Sequence, residues 1–275
     1  MSLPKKIGFF LLAFVLFLPL PLRAATAFDH SAWDAFLKEF VNSKGEVRYQ
    51  AIVKDPKPLD NYLAALMQVK QSEFASWPRE ETLAFWLNAY HAMLVKLVTE
   101  HYPVKSVQHI PGFWDVAAFH FGKSVAGEGG YSLNDIRMNK LIGVYRDEKI
   151  DLALCLAAKG GPPMAREAFT GPRVEGQLFL LTRQFVNDPA NVDITPGKKK
   201  IFLSRLFKWY GNDFKLDFGT IEPLGKFSIV DTSVISFLSY YLEDDAKGEY
   251  LQQAGYKIEY PSFDWSLNDQ KEASA

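Results

Sequence analysis

Between Thr82 and Val98 the apolar residues occupy every side of a helix rather than one. Leu83, Trp86, Leu87, Tyr90, Met93, Leu94 and Leu97 form a broad stripe at helical spacing, and Phe85, Ala89, Ala92 and Val95 cover the opposite side. This pattern predicts a helix buried on most of its surface. It is short for a membrane span and holds Asn88, His91 and Lys96, so it suits a protein core. Pro78 with Glu80 and Glu81 behind it fits the start of that helix, and Pro103 marks its end.

The flanking segments are amphipathic. Trp33, Phe36, Leu37, Phe40 and Val41 share a face over residues 31–41, as do Leu59, Tyr62, Leu63, Leu66 and Met67 over 59–69. Asn42-Ser43-Lys44-Gly45 closes the first helix, and a short extended or turning segment follows around Tyr49. Residues 103–130 are irregular and aromatic, with a short strand expected at Phe119-His120-Phe121 and a turn at Gly127-Glu128-Gly129-Gly130. Ser132 and Asp135 form a capping-box pattern ahead of a helix to about Val144. The continuous apolar run at 150–157 reads as a buried strand with Asp151, Ala153 and Cys155 on one face. A helix over 172–187 follows, then a hairpin over 192–203 through Pro196-Gly197, and a short helix capped by Ser204. A further apolar helix spans 233–242, a last strand runs over 257–260, and a polar tail frays from Asn268. The sum is one helix-rich α+β domain with a small sheet, arranged around the buried helix.

The chain begins differently. Lys5 and Lys6 precede an apolar run to Leu22, and Ala25-Thr26-Ala27 is a small-x-small cleavage pattern. Residues 1–27 therefore read as a secretory signal peptide, with residues 28–275 as the mature domain; retention as an uncleaved anchor is the alternative. Cleavage removes Lys5, Lys6 and Arg23 and no acid, taking the formal charge from −1 to −4. That balance points away from nucleic acid and from anionic membranes. The destination is a bacterial periplasm or the medium. The lone cysteine, Cys155, excludes an internal disulfide and is either a buried small hydrophobe or a reactive thiol.

Bottom-up chemistry is sparse. The histidines at 30, 91, 101, 109 and 120 form no close pair and no HExxH, so no metal or other cofactor is expected. No serine stands in a GxSxG elbow. Asn88 and His91 are the polar residues of the buried helix. They either fix neighbouring backbone, as buried amides and imidazoles commonly do, or line a site.

Several stretches resemble the domain-of-unknown-function family numbered 547. Ala84-Phe85-Trp86-Leu87-Asn88-Ala89-Tyr90-His91, continuing to Glu100-His101-Tyr102-Pro103-Val104-Lys105-Ser106, is similar to the family's AFWINLYNA…EHYPVKSI run. Gly45 to Tyr49, the Tyr131-Ser132-Leu133-Asn134-Asp135-Ile136 motif, Ala153-Leu154 with Pro162-Pro163, and LSRLFKWYGNDF from Leu203 to Phe214 follow in the family's order. The ending Phe263-Asp264-Trp265-Ser266-Leu267-Asn268 is similar to the family's YDWSLN. The resemblance implies an exported bacterial protein, distantly papain-like, with a Cys–His–Glu constellation in which an imidazole activates a thiol and a carboxylate orients the imidazole.

This sequence departs at those places. The family's glutamate-histidine pair is Arg137-Met138, its next histidine is Asp151, and its cysteine is Gly161. The expectation is a degenerate, non-catalytic relative that binds a small molecule, peptide or protein partner. Asn88, His91, Arg137 and Asp151 are the candidate ligand-binding residues, and Arg137 and Asp151 either pair with each other or offer the guanidinium to a carboxylate. Two alternatives remain: a hydrolase or transferase using Cys155 or Asp151, and a purely structural domain without a pocket. Oligomeric state is not legible.

Overall fold

The computed structural model of the protein describes residues 27–120 and 130–270. The expected signal sequence, Phe121 and most of the turn at 127–130 lie outside the described residues.

The fold is helix-rich α+β. Helices α1 (Ser31–Phe40), α2 (Tyr49–Lys54) and α3 (Lys57–Gln68) surround α4 (Arg79–Glu100). Every residue of α4 from Leu83 to Val95 is buried, as its all-round apolar pattern requires. Pro78 precedes its first turn, where Glu80 and Glu81 meet the positive end of the helix dipole. Trp33 stacks on Phe36 and Tyr62 on one side of it. Leu133, Ile136, Leu141 and Ile150 close the other side of the same core.

The helix at 133–145, α5, opens on a capping box: the Ser132 side chain accepts from the Asp135 N–H, and the Asp135 carboxylate accepts from the Ser132 N–H. Its middle, Ile136–Ile142, is wound as a π-helix. Such widened turns are rare and cluster at functional sites; here the widened turn carries Arg137.

The apolar run at 150–157 is not a strand. Lys149–Ala153 forms a short helix, α6, whose Lys149 N–H is capped by the Asp147 carboxylate, and only from Leu154 is the backbone extended. A short apolar run fits a buried helix as well as a buried strand, and here its first half is helical. Asp151 and Cys155 therefore do not share an alternating face. Asp151 belongs to the helix and Cys155 to the chain beyond it.

Helix α7 (Val174–Asn187) leads to the sheet. Strand β1 (Val192–Asp193) pairs antiparallel with β2 (Lys200–Leu203), with Val192 opposite Leu203. Strand β3 (Lys257–Glu259) pairs parallel with β2, with Ile258 opposite Ile201. Helix α8 (Arg205–Trp209) is capped by Ser204, and α9 (Ile229–Tyr241) fills a second core with Phe207, Phe214 and Phe237. Of the strand expected at Phe119-His120-Phe121, Phe119 makes an isolated bridge to Tyr131, and Phe121 lies outside the described residues.

The tail does not fray at Asn268. Leu267 bridges Ala158, Asp269 bridges Val47, and Asn268 is 5% exposed. Its Nδ2 donates to the Gly45 carbonyl (3.3 Å), and its Oδ1 accepts from the Tyr49 hydroxyl (2.8 Å). Among the described residues no helix is long and apolar enough to cross a membrane.

Candidate ligand pocket

Two of the positions of the expected catalytic constellation, Arg137 and Asp151, meet in space and form an ion cluster with Asp213. The π-turn of α5 aims Arg137 at α6. Its Nε donates to Asp151 Oδ1 (2.8 Å), and its Nη2 reaches the same oxygen (2.7 Å) and Asp213 Oδ2 (2.9 Å). The guanidinium carbon lies 4.0 Å from the centroid of the Tyr210 ring, in cation–π contact. Two carboxyl groups thus face one guanidinium. The Asp151 side chain has no exposed surface, and its Oδ2 has no hydrogen-bond partner among the described residues. Burial, reinforced by Asp213, holds the Asp151 carboxyl well above the usual carboxylate range despite Arg137. The neighbouring acids hold Arg137 charged.

Above Arg137 opens a cavity of about 250 Å3, lined by Tyr90, Trp114, Leu133, Asn134, Arg137, Leu156, Trp209, Tyr210 and Trp265. Three of the six tryptophans stand here. Trp209 and Trp265 stack with ring centroids 5.7 Å apart and planes 27° apart, and Phe263 packs on both. The Asn134 N–H donates to the Trp114 carbonyl, and Asn134 Nδ2 donates to Asp115, which fixes the Trp114 side. A Cβ at Gly161 would stand 3.2 Å from the Leu156 Cβ, so the position of the expected nucleophile backs onto the Leu156 wall.

Asn88 and His91 do not border this cavity. Asn88 is fully buried and spends both ends of its amide on one residue: Nδ2 donates to the Phe169 carbonyl (2.8 Å), and the Phe169 N–H donates to Oδ1 (3.0 Å). His91 is equally committed. Its Nδ1 bonds the Leu87 carbonyl (2.7 Å), and its Nε2 accepts from the Cys155 N–H (3.1 Å). Burial lowers its pKa to about 4, so the ring is neutral at physiological pH. It faces the Cys155 backbone rather than the sulfur. Cys155 Sγ accepts from the Ala157 N–H (3.3 Å) and lies 3.5 Å from Asn268 Nδ2. Burial pushes the thiol up to about 12.

Sequence reasoning singled out Arg137 and Asp151 and anticipated their pairing. It missed Asp213, Tyr210, Trp209 and Tyr90, although Tyr90 and the Lys208-Trp209-Tyr210-Gly211-Asn212-Asp213 stretch sit inside the motifs that carry the resemblance. The signal was there: acids and aromatics at unusual density beside a turn. Among the described residues no group of three or more His, Cys, Asp or Glu is placed to hold a metal.

What the fold and cavity define is a helix-rich α+β domain bearing an aromatic pocket over a buried ion cluster. Residues 74–186 match the model of the family described as "Protein of unknown function, DUF547", which bears out the resemblance read from the motifs. The matched stretch contains Tyr90, Arg137, Asp151 and Gly161; Asp213 and the tryptophans at 209 and 265 lie beyond it. No curated protein and no solved structure matches the chain.

Proposed function

We propose that the chain is an exported, non-catalytic binding protein whose ligand enters the pocket over Arg137. The observation that carries this reading is that Arg137 and Asp151, at two of the positions where the resemblance places catalytic machinery, are paired with each other, with Asp213 as a further partner of Arg137. An activated nucleophile needs a neighbouring base with a free lone pair. Gly161 supplies no nucleophile, and the imidazole of His91 is engaged at both nitrogens. The sulfur of Cys155 is buried, and at pH 7 a thiol titrating near 12 is ionised in about one molecule in 10⁵.

The test is alkylation of Cys155 by iodoacetamide, native against unfolded. The lone thiol makes the readout unambiguous. The expected result is native labelling at least about 100-fold slower than labelling of the unfolded chain. Native labelling at the unfolded rate, or turnover of a peptide or thioester substrate that Cys155→Ala abolishes, refutes the reading and moves the chain to the thiol enzymes.

A further inference from the structure

The pocket over Arg137 offers hydrogen-bond donors that nothing in the protein uses. Tyr90 is 1% exposed and lines the cavity, yet its hydroxyl has no hydrogen-bond partner among the described residues. That hydroxyl lies within electrostatic reach of Tyr210, Arg137 and Asp151, on the side of the cavity where those groups stand. It is not among the fully enclosed polar atoms, so it reaches the open space of the cavity, where an incoming acceptor can take the place of solvent. The Tyr210 hydroxyl and the indole N–H groups of Trp114, Trp209 and Trp265 likewise have no partner among the described residues. On the acceptor side, Asn134 Oδ1 is unengaged, because its amide donates to Asp115.

Charge narrows the class of ligand. Arg137 is shared between two carboxyl groups and stacked on Tyr210, so it presents no free cation to an anionic ligand. The same cluster gives a quaternary ammonium no unshared carboxylate, since Asp151 Oδ1 and Asp213 Oδ2 both face the guanidinium. The ligand that fits is neutral. The walls demand flat apolar faces, which aromatic rings supply to C–H groups as well as to other rings. The donors demand oxygen acceptors around the rim of the ligand. At about 250 Å3 the cavity lies below the roughly 300–1,000 Å3 of sites for drug-sized ligands, which limits it to a single ring with short substituents.

We propose that this pocket binds one neutral pyranose ring of a glycan, stacked against the Trp209–Trp265 platform and hydrogen-bonded at its inner edge by the Tyr90 hydroxyl. This deepens the non-catalytic binding reading and rests on it. The exposed edge of Trp209, which is 42% accessible, leaves the platform open to the next sugar of a chain.

The experiment titrates the purified protein with neutral sugars, monitored by tryptophan fluorescence and calorimetry. The ligands are the methyl glycosides of glucose, galactose, mannose and N-acetylglucosamine, and the corresponding tetrasaccharides. Choline chloride and an N-acetylated, amidated tetraproline run in parallel. One glycan class is expected to bind, with Kd on the order of 1 mM for the single ring and tighter for the tetrasaccharide. Tyr90→Phe keeps the ring and loses only the hydroxyl, and should weaken that binding roughly 3- to 10-fold. Trp209→Ala lies at the surface, leaves the core intact, and should weaken it more than about 10-fold. Far-UV circular dichroism confirms that both variants are folded. If tetraproline or choline binds in a Trp209-dependent manner and no glycan does, the sugar assignment falls while the pocket reading stands. If no ligand perturbs the tryptophans, both fall.

Discussion

Replacing Asn88 by alanine tests whether that amide is a structural clamp. The side chain is fully buried in α4 and holds the Phe169 backbone through two bonds of 2.8 and 3.0 Å. Alanine orphans a backbone carbonyl and a backbone N–H at once. Each buried orphan costs about 1–3 kcal/mol, so the pair should cost about 4 kcal/mol. That is a large share of the roughly 5–15 kcal/mol by which domains are stable. With a urea dependence of about 2–3 kcal/mol/M, the unfolding midpoint should fall by about 1.5 M. Asn88→Asp sharpens the test. It retains the acceptor for the Phe169 N–H but sets a carboxylate oxygen against the Phe169 carbonyl. Burial and that carbonyl raise the folded pKa of the new acid above its unfolded value, so the variant should regain stability as pH falls towards 4, when the protonated acid can donate. A loss below about 1 kcal/mol for alanine, or an aspartate variant that tracks the native protein across that pH range, would refute the clamp.

The Glu148 carboxyl is buried, its Oε2 has no partner among the described residues, and burial raises it from 4.5 to about 7. The stability it contributes is complete below about pH 4.5 and is lost as pH rises through about 7, so Glu148→Gln should flatten the pH–stability curve there by up to about 3 kcal/mol in urea titrations. His30 and His91, both lowered to about 4 by burial, act with the opposite sign: their contribution is lost as pH falls from 6.5 towards 4. The difference between variant and native curves therefore isolates Glu148. Arg137→Met strands Asp151 in the interior and should cost about 3 kcal/mol at neutral pH, whereas adding Asp151→Leu to it should cost less than the sum of the two single changes in a double-mutant cycle. Gly45 sits at φ +74°, and a Cβ there would collide with the Pro163 side chain, so Gly45→Ala should cost about 2 kcal/mol or more by thermal or urea unfolding.

The helices were legible where a long apolar pattern repeats at helical spacing, as in α1, α3 and above all α4. Over a length of ten residues or more, only a helix buries such a pattern. The run at 150–157 was not legible because it is too short for periodicity to separate strand from helix. The tail misled for a different reason. Asn268 and Asp269 look like solvated polar residues, and only tertiary contacts with Gly45, Tyr49 and Val47 draw Asn268 inside. Half the site could be anticipated from the unusual residues at 137 and 151. The other half, Tyr90 and the 209–213 turn, carried only the weaker signal of a dense run of acids and aromatics, and aromatic residues in a chain this rich in them are more often core than site.

The seat of Asn268 bears on how the molecule folds. Its side chain joins residues 219 and 223 positions apart, so the turn that follows α1 is sealed only when Asn268 reaches it. Until then Tyr49, Gly45 and the Cys155 sulfur lack their amide partner. Contacts of such long sequence separation slow folding, because loop closure must precede the contacts that reward it.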